Sequence, residues 1–183
     1  MRNRPETLTR PEYICKFYPL IASLVLYHPI LERSSQENIL QNFAVGISSF
    51  RYRFCFETLT IAITEMHETN SKTCAEILLK LSQFSPSQNM AQPVLELLST
   101  ISDLKKLDSC VGKSFGFGRK EFIAVSAIAI KYTDPLKFNP FIILLAHYVI
   151  CIWFIKCKQD FRKNYASFTC KVNILLNQTF ILK

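Results

Sequence analysis

The residues of this chain whose types and spacing could do chemistry are few, and each set breaks off before it is complete. Gly112-Lys113-Ser114-Phe115-Gly116 fits G-x-S-x-G, in which a serine nucleophile is held on a sharp turn between a buried strand and a helix. Here the preceding SDLKKLDSC is polar, and the downstream His147 lies inside an apolar stretch, so a serine hydrolase at Ser114 lacks its context. The same residues contain G-K-S, but a phosphate-binding loop needs glycine five positions earlier, where Leu107 stands. The dinucleotide pattern fails in the same way, with Glu121 where the third glycine after Gly116 and Gly118 belongs.

Other candidates for reactivity are scattered. His28, His67 and His147 are far apart, with no pair at the i, i+4 spacing of a helical metal site. Glu65, Glu68 and Glu76 could serve as acid/base carboxylates, yet they sit where an amphipathic helix keeps its solvated charges. Cysteines at 15, 55, 74, 110, 151, 157 and 170 are odd in number, form no C-x-x-C pair and fall mostly in apolar stretches. They read as free, buried thiols in a reducing compartment, and no disulfide or zinc framework is expected. The expectation is of no catalytic residue, no cofactor and no metal.

A chain of 183 residues, 49% of them apolar, is long enough to bury a core without staples. Its 4 glycines and 8 prolines are too few for a sandwich of short strands, which points to an all-α fold. The 22 basic residues against 14 acidic leave a net charge of +8, spread without a long basic run, zinc finger or RNP-like motif, so no nucleic-acid partner is expected. The N-terminus lacks the apolar stretch and small-residue site of a secretory signal.

Periodicity then sets out the elements. Ser34 and Glu37 match a capping box before Ile39, Leu40, Phe43, Ala44 and Ile47, predicting a helix over about 35–47. Phe54, Cys55, Thr58, Leu59, Ala62, Ile63 and Met66 make one stripe of a helix between 50 and 68. Asn70 or Ser71 caps a segment with Cys74, Ile77, Leu78, Leu81 and Phe84 on one side, stopped by Ser85-Pro86. Val94, Leu95, Leu98 and Ile101 then line the next helix, with Pro93 in its first turn or at a kink, and these two segments read as an antiparallel pair. SCVGKSFGFGRK is a loop, residues 121–130 a buried helix, and Asn139 and Pro140 open the most apolar element, FIILLAHYVICIWFIKCK.

Residues 141–155 are too few to span a bilayer, and His147 would be costly in lipid, so a core helix is expected there. A membrane-associated helical protein anchored by 141–155 is the alternative, favoured by the flanking KCKQDFRK. Antiparallel helix pairs recurring every 35 to 45 residues describe a HEAT/armadillo-like α-solenoid segment, with a closed bundle as its rival. Lys156, Lys158, Arg162 and Lys163 form a candidate interaction surface for an acidic partner or lipid headgroups.

Three stretches carry a resemblance. PVLELLSTISDL (93–104), AIKYTDPLKFNPFIILLAHYVICIWFIKCKQDFRKNYASF (129–168) and, more loosely, 56–85 are similar to the end of the long helical-repeat region of the tuberin family. That divides the chain into an N-terminal segment over 1–34, a tuberin-type helical-repeat domain over 35–168 and a divergent tail over 169–183. The resemblance implies a piece of a regulatory scaffold. In the family this scaffold acts with hamartin, within the tuberous sclerosis complex, to promote GTP hydrolysis by Rheb and so restrain target-of-rapamycin signalling. Rheb is reached through a GTPase-activating domain that nothing here resembles, so no catalytic residue carries over. The implied location is cytoplasmic, with peripheral contact at the lysosomal membrane.

Overall fold

The structure, a computed structural model, describes residues 10–49, 53–66, 71–103 and 119–181. Among these residues the chain forms eight α-helices, one 3-10 turn and no strand. The helices are α1 (Arg10–Val25), α2 (Arg33–Ser49), α3 (Arg53–Glu65), α4 (Ser71–Ser82), α5 (Gln88–Asp103), α6 (Arg119–Ile130), α7 (Pro140–Ile155) and α8 (Gln159–Ile181). The 3-10 turn spans His28–Ile30. The glycine-rich motifs between 104 and 118, including Ser114, lie outside the described residues, as do His67 and Glu68.

The packing order identifies the architecture. Helices two apart pack broadly on one another: α1 with α3, α3 with α5 and α5 with α7 form one layer, and α2 with α4 and α4 with α6 form the other. The two layers meet through α2 on α3, α6 on α7 and α7 on α8. Alternation of this kind is how stacked helix pairs bury a continuous core, and it makes the fold an all-α solenoid rather than a closed bundle. The two segments expected to pair from 71 to 107 instead pack outward, into different layers, α4 on α2 and α6, and α5 on α3 and α7.

Two lysines repeat one device within this stacking. Lys131, just past α6, donates to the Ser82 and Phe84 carbonyls at the end of α4, at 2.6 and 3.1 Å. Lys156, just past α7, donates to the Ser102 carbonyl at the end of α5. Helix C-termini leave carbonyls without intrahelical donors and carry partial negative charge, so an ammonium is well placed there. Because C-terminal ends meet C-terminal ends, same-layer neighbours run parallel.

Local signals held at some element ends and failed at others. Asn139 caps α7, its Oδ1 accepting from the Ile142 amide at 2.9 Å, with Pro140 in the first helical position. The capping box at Ser34 does not form: α2 begins at Arg33, and Ser34 instead donates to the Glu32 carboxylate. The entry to α2 is tied down by the Gln36 side-chain amide, which donates to the His28 and Leu31 carbonyls. Pro93 is the sixth residue of α5 and buried, so its missing N–H falls in the second turn and removes an i→i−4 bond from the helix interior. On α3 the predicted stripe is buried from Cys55 through Met66, but Phe54 is exposed and Phe56 is buried in its stead.

Candidate interaction surface

The four cations singled out by sequence lie where α7 hands over to α8. Lys156 is the C-cap residue of α7, and its ammonium is turned toward α5, pairing with Asp103 Oδ1 at 2.7 Å as well as with the Ser102 carbonyl. Lys158 and Lys163 are exposed at the start of α8, and Arg162 is half-buried beside them. The structure therefore brings Lys158, Arg162 and Lys163 to one helix start, and gives Lys156 a second neighbourhood at the α5 terminus.

Aromatic packing positions this corner. Phe161 and Tyr165 of α8 stack on each other with centroids 4.3 Å apart, and both meet Phe122 of α6 edge-on at 5.4 and 6.3 Å. Phe154 of α7 joins the same ring cluster at 6.0 Å from Phe122, and the Arg119 guanidinium lies 5.7 Å above the Tyr165 ring. Cys157 is sealed beneath, its thiol donating to the Trp153 carbonyl at 3.2 Å. Burial pushes that thiol up to about 12, the nearby Arg162 charge pulling it partly back and Glu121 raising it further. Arg162 Nε is enclosed without a hydrogen bond of its own.

The α5–α7 seam supports the corner from the other side. Trp153 is fully buried, and its indole N–H donates to the Leu98 carbonyl at 2.8 Å. His147, on the same helix, is buried as expected of a core histidine. At the far end of the layer Thr58 donates to the Tyr18 carbonyl at 3.2 Å, tying α3 to α1. Burial raises the Tyr18 hydroxyl above the ordinary phenol range, its hydrogen bond with Cys55 adding to the effect. Burial also raises the Cys55 thiol to about 11, the Tyr18 hydrogen bond partly opposing it.

The remaining candidates stand apart. Glu76 is held by Lys80 at 2.8 Å one turn along α4, Glu65 is exposed at the end of α3, and His28 lies in the 3-10 turn. Among the described residues no group of three or more His, Cys, Asp or Glu side chains is placed to hold a metal ion. No helix among them is long and apolar enough to cross a membrane.

What the sequence reading missed is an apolar surface. Phe141, Leu144, Tyr148 and Ile155 of α7 are 51% to 64% exposed, on a helix read as wholly internal. The signal was present, because α7 contains no charged residue on any face. A helix apolar all round needs cover all round.

In comparison with known families, the family described as Tuberin matches this chain over residues 1–160, from before α1 to the second residue of α8. Among the described residues the matched region is helical, and the matched family domain is not the catalytic GTPase-activating domain.

Proposed function

We propose that this chain, since it belongs to the tuberin family, is a scaffold and interaction segment of a tuberin-like regulator. In this reading the regulator acts with a hamartin-like subunit in the tuberous sclerosis complex, promotes GTP hydrolysis by Rheb through a GTPase-activating domain, and so restrains target-of-rapamycin signalling. The segment itself contributes surface and no reactive group. It works in the cytoplasm, with peripheral contact at the lysosomal membrane.

One observation carries the reading: the family match runs through seven helices stacked in alternate layers and reaches the eighth. Stacked helix pairs present long ridges to partners while keeping their own polar groups satisfied. Lys158, Arg162 and Lys163, gathered at the start of α8, supply a contact for an acidic partner or headgroup.

The test is co-purification of a hamartin-like subunit on the tagged full chain from cells expressing both, with Rheb GTP hydrolysis measured in parallel. Retention of the subunit is expected, together with no acceleration of hydrolysis by the chain alone. Loss of retention, or hydrolysis stimulated by the isolated chain, would overturn the reading. Charge reversal at Lys158, Arg162 and Lys163 should weaken retention, and an unchanged yield removes them from the interface.

A further inference from the structure

The start of α6 and the start of α8 meet at one corner, and cations from both gather there. The Arg119 guanidinium lies 5.7 Å over the Tyr165 ring, and Phe122 meets Phe161 and Tyr165 edge-on, so the first turn of α6 sits against the first two turns of α8. Exposed Lys120 adjoins Arg119. On α8 the Arg162 amide donates to the Lys158 carbonyl at 3.0 Å, which sets those two residues one turn apart on the same side. Arg162 is roughly 60° round α8 from Tyr165, whereas Lys163 is roughly 160° away and falls outside the corner.

These cations differ from others on the chain in what they meet. Arg33, Arg53, Lys80, Lys137 and Lys156 each hold a carboxylate within 3.5 Å. Arg119, Lys120 and Arg162 form no ion pair among the described residues, although Glu121 and Asp160 stand in the same two turns. Arg162 and Glu121 act with opposite sign on the Cys157 thiol, and Arg162 Nε is enclosed without a hydrogen bond. Like charges gathered without counterions repel one another, and an added anion relieves that repulsion.

The chemistry of the corner selects the anion. Its aromatic rings are spent on one another, Phe122, Phe154, Phe161 and Tyr165 forming a single cluster, so what it turns outward is charge. Peripheral attachment to a bilayer takes buried apolar area as well as charge, whereas the forked donors of two guanidiniums match planar carboxylates. From these observations we propose that this corner binds an acidic segment of a partner polypeptide, its Asp and Glu carboxylates engaging Arg119, Lys120, Lys158 and Arg162. This deepens the reading of the chain as an interaction segment and rests on it, bringing in the start of α6 and naming the partner's chemistry.

The probe is a short fluorescein-labelled peptide of alternating Glu and Ser, compared with one in which Gln replaces Glu. Binding of each to the full chain is followed by fluorescence anisotropy at low salt. Saturable binding of the Glu peptide is expected, at least about tenfold tighter than of the Gln peptide and weakening as salt is raised. The double variant Arg119→Gln, Lys158→Gln should weaken it by a similar factor. Arg33→Gln with Arg53→Gln, which removes the same charge from α2 and α3, should change it by less than about twofold. All four side chains are exposed, so both variants should keep the far-UV dichroism and unfolding midpoint of the parent. Lys120→Gln with Lys158→Gln serves if loss of the Arg119–Tyr165 contact disturbs the fold. Equal binding of the two peptides, or an equal loss in the corner variant and the α2–α3 variant, overturns the proposal. So does adsorption to phosphatidylserine vesicles, abolished in the corner variant, in place of peptide binding. Peptide binding that depends on the corner while a hamartin-like subunit is not retained would leave this surface standing and the functional reading fallen; a retained subunit without peptide binding would do the reverse.

Discussion

Replacing Trp153 tests the stacking of α7 on α5 more directly than any other change. The side chain is fully buried, it spans the seam between the two helices, and its N–H donates to the Leu98 carbonyl. Truncation to alanine removes the ring and leaves a cavity, which for buried aromatics costs about 3–5 kcal/mol. The hydrogen bond accounts for roughly 1 kcal/mol of that, because the Leu98 carbonyl keeps its own helical donor. Trp153→Phe keeps most of the burial and should cost about 1–2 kcal/mol, mainly the lost bond and the smaller ring. The assay is urea unfolding followed by far-UV circular dichroism. With a slope of about 2 kcal/mol per molar urea, the alanine variant should unfold at roughly 2 M less denaturant and the phenylalanine variant at roughly 0.5–1 M less. Trp153 is the only tryptophan, so the parent's fluorescence adds a direct readout: a blue-shifted emission poorly quenched by acrylamide until the transition. An alanine variant costing under about 1 kcal/mol would refute the seam. If alanine leaves no folded protein, the phenylalanine variant still decides, since a cost near zero there refutes it equally.

Four further outcomes follow from named contacts. Lys156→Met should lower stability by about 0.5–1 kcal/mol in the same unfolding assay, because it removes the ties to the Ser102 carbonyl and Asp103 while keeping the apolar stem; Lys131→Met should act alike at the end of α4. Brief alkylation followed by peptide mass spectrometry should modify exposed Cys170 before half-buried Cys151, and Cys55 and Cys157 only in denaturant. Stability should fall as pH rises above about 9, since unfolding lets the buried thiols ionise near their ordinary values while the folded chain holds Cys55 to about 11 and Cys157 to about 12; an unfolding free energy flat from neutral pH to 11 would contradict their burial. Hydrogen exchange should release α1 before α5, because α1 packs chiefly on α3 and leaves Phe17, Leu20 and Leu24 exposed, while α5 is covered by α3 and α7.

The helices were legible in the sequence because amphipathic spacing and caps are local. Asn139 followed by Pro140 fixes the start of α7 from two residues, and Val94, Leu95, Leu98 and Ile101 are buried on α5 as their spacing predicts. What periodicity could not supply is how many neighbours a helix has. A helix inside a stacked layer is covered from several directions, so its buried arc widens beyond one stripe, which is why Phe56 is fully buried and Leu97 is as buried as Leu98. Caps that compete with other partners were also misread: Ser34 finds the Glu32 carboxylate, and Gln36, unremarked in the sequence, holds the entry to α2. The candidate basic surface was legible as composition only. Whether a lysine faces solvent or the end of another helix depends on contacts such as that between Lys156 and Asp103, more than fifty residues away in the chain.

The hydropathy of α7 is the clearest case of a pattern with two physical causes. An uncharged helix can be solvated by lipid or by protein, and length separates the two: 16 residues reach about 24 Å, short of the roughly 30 Å of a bilayer core. In this fold the protein accounts for three sides of the helix, with Trp153 against α5, Phe154 against Phe122 of α6, and α8 folded back upon it. His147 is buried within that packing, where a membrane anchor would have to carry it through hydrocarbon. The fourth side is the Phe141–Ile155 stripe. Since the stacking gives α3 and α5, the inner helices of its layer, a neighbour on both flanks, the apolar character of that side follows from the same stacking that covers the other three.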